Sequence, residues 1–337
     1  MLALAGLPLA FTACVPPLPQ NIGNDALAQR ELDSTFGAAR AFREAGVADA
    51  LWLEIDRSAA RGAVGGYFAR AIRAELNAAR RADIRARNPA NASDTTELAR
   101  PPGLVVLLAG ASTFYDRGPI AKALDYHRDV GALLRAAGFD TWFLVVRECG
   151  TPYGGGDLAD LLDALDWLEI EGRAALDVER VYLVGYSSGA TPALLASLDR
   201  RLDAVVAIDG LTRADLFEQY WLFDNLVANL YPENTGICQF RATLHTYGLP
   251  GSPAYAALDV VGRIDRLKSP LLVIHGRQDV IYPYADFVAL RDAYERAARS
   301  AAALPSAEFV TIPDAEHIQI FERNDVRSRV IDYLLQH

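Results

Sequence analysis

The stretch VYLVGYSSGATPALL, Val181 to Leu195, decides how this chain is read. It runs from an apolar strand through a tight glycine turn with two serines into a helix. Gly185, Ser187 and Gly189 form a G-x-S-x-G frame across that turn. A serine on a sharp turn, in an unfavourable backbone conformation, holds its hydroxyl clear of the sheet. Small residues two before and two after let strand and helix approach closely. The helix start then points N–H groups at the reacting centre. Pro192 fits, because a missing N–H costs nothing in the first turn or so. Such a frame arises by chance in about one chain in ten of this size, from average Gly and Ser usage. It therefore needs partners elsewhere. Position 186 is Tyr, so Ser187 alone fits the frame, and Ser188 takes the next position, whose backbone N–H is an oxyanion donor.

A serine nucleophile needs a base, and the base needs an orienting acid, in the chain order Ser, acid, His. Five histidines are present. His127 and His245 lie in the wrong order or inside an irregular segment, and His337 is the terminal residue. His275 ends a strand, a structural position. His317, in PDAEHIQIF, follows the last predicted strand on a polar loop and is the candidate base. Asp279, in HGRQDVIYP, is the candidate acid. Asp209, at the end of the preceding strand, competes with it, and Asp314 is a weaker rival with the look of a turn former. The second oxyanion donor is expected in the loop after GLVVLLAG, at the backbone N–H of Ala111, with Ser112 next.

From Gly103 onward, buried strands alternate with helices. GLVVLLAG, FDTWFLVV, VYLVG, DAVVAID, PLLVIHG and AEFVTIP are short apolar runs, as strands covered on both faces should be. DLADLLDALDWLEI carries Leu158, Leu161, Leu162 and Leu165 along one helix face. The pattern predicts an α/β fold with a mostly parallel sheet and helices on both faces. Between about 211 and 268 the alternation breaks into a long aromatic, helical-looking insertion near the edge where open α/β sheets bind ligands. There Phe217, Tyr220 and Trp221 are candidates for a pocket wall, together with Tyr186 beside the serine. Residues 21–100 are dense in Ala and Arg, with Phe68, Ile72, Leu76 and Ala79 at helical spacing. They read as a helical N-terminal extension ahead of a catalytic domain at 101–337.

Composition excludes several functions. The 337 residues carry a net charge of −10, which repels phosphate backbones and argues against nucleic-acid binding. Lys122 and Lys268 are the two lysines, and neither lies in a phosphate loop or an S-x-x-K arrangement. No C-x-x-C or H-E-x-x-H spacing points to a metal, and no cofactor is expected. The first 20 residues differ in character: an apolar run from Leu2 to Ala13, then Cys14, then a Pro-rich linker. The run is too short to span a bilayer as a mature helix and fits a secretory leader, cleaved or uncleaved, with an ordinary apolar tail docked on the body as the alternative. It resembles a bacterial lipoprotein signal, with Cys14 as the lipidated residue. That implies an exported, periplasmic or envelope-anchored protein with membrane attachment through Cys14. Cys149 and Cys238 are then an even pair that could join in an oxidising compartment, or two buried thiols.

GYSSG, HGRQDVIYP and PDAEH, in this order, resemble the α/β-hydrolase superfamily. ALDVERVYLVGYSSGA and SPAYAALDVVGRIDRLKSPLLVIHGRQDVIYP are most similar to the catalytic domain of prolyl oligopeptidase-type (S9) serine hydrolases. The resemblance covers about Gly103 to the C-terminus. It implies an α/β-hydrolase fold with a cap insertion at 211–268, and Ser187, Asp279 and His317 as nucleophile, acid and base. The family's strand-end HGG or HGxP motif is AGA here, at Ala109–Ala111, and no β-rich propeller precedes the domain. A stand-alone esterase acting on a small ester is the expectation that follows. A short-peptide peptidase and a non-catalytic envelope lipoprotein that keeps the fold are the alternatives.

Overall fold

The computed structural model describes residues 31–36, 39–43, 51–55, 64–71, 103–108, 110, 127–145, 156–213, 215–216, 252–300 and 304–337. Ten strands form one sheet: β1 (Glu31–Phe36), β2 (Ala39–Arg43), β3 (Leu51–Ile55), β4 (Val64–Ala69), β5 (Leu104–Leu108), β6 (Asp140–Val145), β7 (Val181–Tyr186), β8 (Ala204–Ile208), β9 (Leu271–Gly276) and β10 (Ala307–Ile312). Their spatial order is β1-β2-β3-β4-β6-β5-β7-β8-β9-β10. From β6 across to β10 every pairing is parallel, and from β1 to β6 every pairing is antiparallel. The helices used below are α1 (Ala132–Ala136), α2 (Gly156–Trp167), α3 (Arg173–Leu176), α4 (Ala190–Asp199), α5 (Tyr284–Ser300) and α6 (Asn324–Gln336).

The parallel strands are apolar at nearly every position because both faces of the sheet are covered. Along β5, Leu104, Val106 and Leu108 enter one core, while Val105 and Leu107 enter the other. The first core is closed by α2, α4 and α5 through residues such as Leu161, Leu194 and Phe287. The second is closed by α1 and α6 through Leu134, Val326, Val330 and Leu334. A fully buried side chain of this kind contributes about 1.5–3 kcal/mol through removal from water.

The helical N-terminal extension expected at 21–100 is corrected within the described residues. Residues 31–69 supply four strands, and they are part of the sheet. Alanine and arginine favour helix by propensity, but propensity is weak against tertiary pairing. The side chains of β4 alternate with a period of two: Val64 and Phe68 enter one core, Tyr67 and Ala69 the other. Two adjacent glycines, Gly65 and Gly66, also disfavour a helix there. Gly66 lies so close to β6 that a Cβ on it would be 2.0 Å from the Phe143 carbonyl oxygen. A buried polar tie reinforces the join: Asp140 on β6 accepts from Arg70 Nη1 at 2.6 Å and from the Ala71 N–H at 2.7 Å. The helical spacing through Ile72, Leu76 and Ala79 lies outside the described residues, as do the leader with Cys14, and Cys149 and Cys238.

The insertion after β8 begins and ends at one place. The Thr212 carbonyl accepts the N–H groups of Val260 and Val261, at 2.9 and 3.1 Å. Short 3-10 turns at Pro253–Leu258 and Val261–Arg266 then lead the chain back to β9. Phe217, Tyr220 and Trp221 lie outside the described residues.

Candidate active site

The loops after β7, β8, β9 and β10 meet at the carboxyl edge of the parallel sheet. Ser187 follows β7 directly and has a φ of 54°, in the left-handed region that non-glycine residues rarely adopt. A 3-10 turn, Ser187–Gly189, passes at once into α4. The two glycines of the frame explain themselves in space. A Cβ on Gly185 would stand 2.2 Å from the Gly189 carbonyl oxygen, so the strand and the turn touch there. Strain of this kind costs about 1–3 kcal/mol and persists only where the surroundings enforce it.

Ser187 Oγ lies 2.7 Å from His317 Nε2, and His317 Nδ1 lies 2.7 Å from Asp279 Oδ2. All three residues are buried, at 6, 6 and 7 % exposure, so little water screens the chain of bonds. Asp279 is fixed from its other side. Its Oδ1 accepts the N–H groups of Ile281 and Tyr282, at 2.7 and 2.8 Å. The imidazole is held between two tyrosines: Tyr186 stacks at 5.8 Å, and Tyr282 meets it edge-on at 4.8 Å.

Tyr186, expected at a pocket wall, has its ring stacked on Phe321 as well as on His317, and its hydroxyl donates to the His317 carbonyl at 2.6 Å. Ser188 is buried at the second place of the turn. Ala111 lies outside the described residues, but its neighbour Gly110 is placed. A Cβ on Gly110 would come within 2.6 Å of Ser187 Cβ, so the loop after β5 runs directly against the serine. That contact could have been sought in the sequence, since a loop that approaches a raised serine needs a residue without a side chain.

Among the competing acids and histidines, Asp314 is exposed and pairs with Arg323 at 3.1 Å. His337 bonds the Tyr333 carbonyl within α6. His275 is fully buried on β9, where its Nε2 lies 3.2 Å from the Tyr282 carbonyl, and burial lowers its pKa. Asp209 stands closer to the centre than the sequence suggested. Its Oδ2 is 3.8 Å from His317 Nδ1, beyond a hydrogen bond. Asp209, Asp279 and His317 together offer three donors within 4.8 Å of one another, a grouping that metals use. Here Nδ1 and Asp279 Oδ2 bond each other directly at 2.7 Å.

The match to a known family covers most of this edge. Residues 105–327 match the family model described as "Alpha/beta hydrolase family". The chain belongs to the alpha/beta hydrolase family. No curated protein matches the sequence. Among solved structures, an esterase of Pyrococcus furiosus is similar at 20% identity with a TM-score of 0.53, over 86% of this chain and 91% of that one. An acylaminoacyl peptidase of Pyrococcus horikoshii is similar at 12% identity and a TM-score of 0.53, over 91% of this chain and 47% of that one. A 2,6-dihydroxy-pseudo-oxynicotine hydrolase is similar at 15% identity and a TM-score of 0.53, over 85% and 67% of the two chains. The α/β-hydrolase fold expected from the sequence is the fold observed, and the chain is a hydrolase of that family.

Proposed function

We propose that this hydrolase cleaves a carboxylic ester of a small molecule through an acyl-enzyme on Ser187. The observation that carries the proposal is the unbroken chain Ser187 Oγ, His317 Nε2, His317 Nδ1, Asp279 Oδ2, with both links at 2.7 Å, on a serine at positive φ. In this reading Ser187 attacks the carbonyl carbon while His317 Nε2 takes its proton. Asp279 holds the Nδ1–H tautomer and stabilises the imidazolium that forms. The backbone N–H of Ser188, with that of Ala111 as the donor expected from the sequence, would stabilise the oxygen on which negative charge grows, a donor of this kind contributing about 3 kcal/mol to the transition state. His317 then protonates the leaving alcohol. Water, deprotonated by the same imidazole, releases the carboxylic acid.

Esterase and peptidase names both occur among the similar folds, so the fold does not choose the leaving group. The similar esterase is matched over 91% of its own length and the similar peptidase over 47%, and that whole-length likeness supports the ester. The test is turnover of short-chain p-nitrophenyl esters beside peptide anilides, with labelling of Ser187 by a fluorophosphonate. Ester turnover that vanishes in Ser187→Ala is the expected result. Equal rates in the variant and the wild type would end the proposal, and faster anilide cleavage would move it to peptides. If residues 1–20 act as a lipoprotein leader, labelling with a radioactive fatty acid will follow Cys14 and be lost in Cys14→Ala.

A further inference from the structure

Two carboxyl groups, not one, face the Nδ1 edge of His317. Asp279 has all its bonds made, as described above. Asp209 differs in every respect. It directly follows β8 at a φ of 48°, is completely buried, and among the described residues makes a single side-chain hydrogen bond, from the Gly276 N–H to Oδ1 at 2.8 Å. Its Oδ2 has no hydrogen-bond partner among the described residues, and it is this oxygen that lies 3.8 Å from Nδ1. A buried carboxyl oxygen without a partner is costly, and a backbone at positive φ adds strain. Holding Asp209 there needs a reason beyond one bond to Gly276.

We propose that Asp209 is a second acid for His317, set beside Asp279 at the same imidazole edge and able to take its place in orienting the ring. Asp209 acts through His317 and is a positioning residue. This rests on the reading of Ser187, His317 and Asp279 as the reacting set. The titratable groups that face Asp209 are His275 on β9, Asp279 in the loop after it, and His317 in the loop after β10. Burial acts first on the Asp209 carboxyl, and the neighbouring Asp279 charge adds to it. Burial and the Asp279 charge together push the Asp209 carboxyl up to about 8. Remove the Asp279 charge and the second cause disappears. Asp209 then releases its proton to solvent at a lower pH. A movement of about 1 Å brings its Oδ2 within hydrogen-bond reach of Nδ1–H.

The test compares Asp279→Ala, Asp209→Asn and the double variant on a p-nitrophenyl ester from about pH 6 to about pH 9. Asp279→Ala should keep activity about 10- to 100-fold above the double variant, since the second acid still orients the base. That residual activity should rise with pH through one titration step that the double variant lacks. Asp209→Asn alone should lose about two- to five-fold and show a flatter alkaline limb. Equal activity of Asp279→Ala and the double variant at every pH would overturn the inference. If the double variant does not fold, the downfield Nδ1–H proton resonance of His317 in Asp279→Ala decides. Its presence supports the second acid, and its absence at every pH refutes it. A wild type with no Ser187-dependent turnover would instead sink the underlying triad reading, and the resonance would still report on the Asp209–His317 pair.

Discussion

The two halves of the sheet do different work with similar material. From β5 to β10 the strands run parallel, and their carboxyl ends carry Ser187, Asp209, Asp279 and His317 on successive loops. From β1 to β4 they run antiparallel, and their described side chains enter the same two cores without reaching the reacting centre. Parallel strands must return over a helix, so all their carboxyl ends meet along one edge, and a set of groups can converge there. Antiparallel strands put neighbouring ends on opposite edges, so they extend the core and shelter the end strand β6. The chemistry should therefore be separable from the stability by where a lesion falls.

The largest effect should come from Ser187→Ala, which removes the nucleophile and leaves the packing intact. Ester turnover should fall by about 10⁴-fold or more, while the melting temperature stays within about 3 °C. Steady-state kinetics and calorimetry on the same preparation check both halves of that statement. Gly66→Ala should do the reverse. Its new Cβ would press on the Phe143 carbonyl oxygen and force β4 away from β6. A loss of about 3 kcal/mol is expected, read as a lower denaturation midpoint, with kcat per folded molecule unchanged. Loss of activity without loss of stability in Gly66→Ala would break the division between the halves.

The same division marks what could be read from the sequence. The parallel half was legible because strands buried on both faces are unbroken apolar runs, and because Ser187, Asp279 and His317 fall on loops in a required order. The antiparallel half was not. β4 is VGGYFA, apolar through glycine and alanine, and the Ala and Arg around it imitate a helix. Its strand character comes from pairing with β3 and β6, which lie 9 or more positions away, and its two glycines hide half of the alternation in the sequence. Asp209 was visible as a rival acid, but its burial and its proton depend on Asp279, which sequence alone cannot place beside it. The stacking of Tyr186 on His317 spans 131 positions and had no signal beyond the tyrosine itself.

A smaller effect tests the acid pair through stability. Asp209 and Asp286 are both buried, and burial raises their carboxyls from 3.8 to about 8 and about 6. The unfolded chain releases these protons near the ordinary value, so the folded chain holds more protons between about pH 4 and about pH 8. The buried His275, lowered from 6.5, opposes this below about pH 6.5, so stability should fall as pH rises from there to about pH 8 and level off above it. Asp325, held low by Arg323, titrates below the window and does not oppose the trend. Asp209→Asn should flatten the slope between about pH 6 and about pH 8 and gain on the order of 2 kcal/mol there, relative to wild type at the same pH. Urea titrations at several pH values measure it, and an unchanged slope would show that Asp209 is ionised in the native state.

Tyr186→Phe should have the smallest effect, and it tests a tie that runs from a strand to the base. The ring stays, so the stack on His317 and Phe321 survives, while the hydroxyl's bond to the His317 carbonyl and its longer contact with the Ile318 carbonyl are lost. A hydrogen bond of this kind contributes about 1 kcal/mol, which as a transition-state loss is about five-fold in kcat. KM should hardly move, because the hydroxyl faces the protein backbone. Tyr186→Ala should cost more, since it also frees the imidazole face. A change in KM with kcat preserved would return Tyr186 to the substrate side. A fall in kcat at constant KM would place it behind the imidazole, where a β7 side chain sets the height of His317 above Ser187.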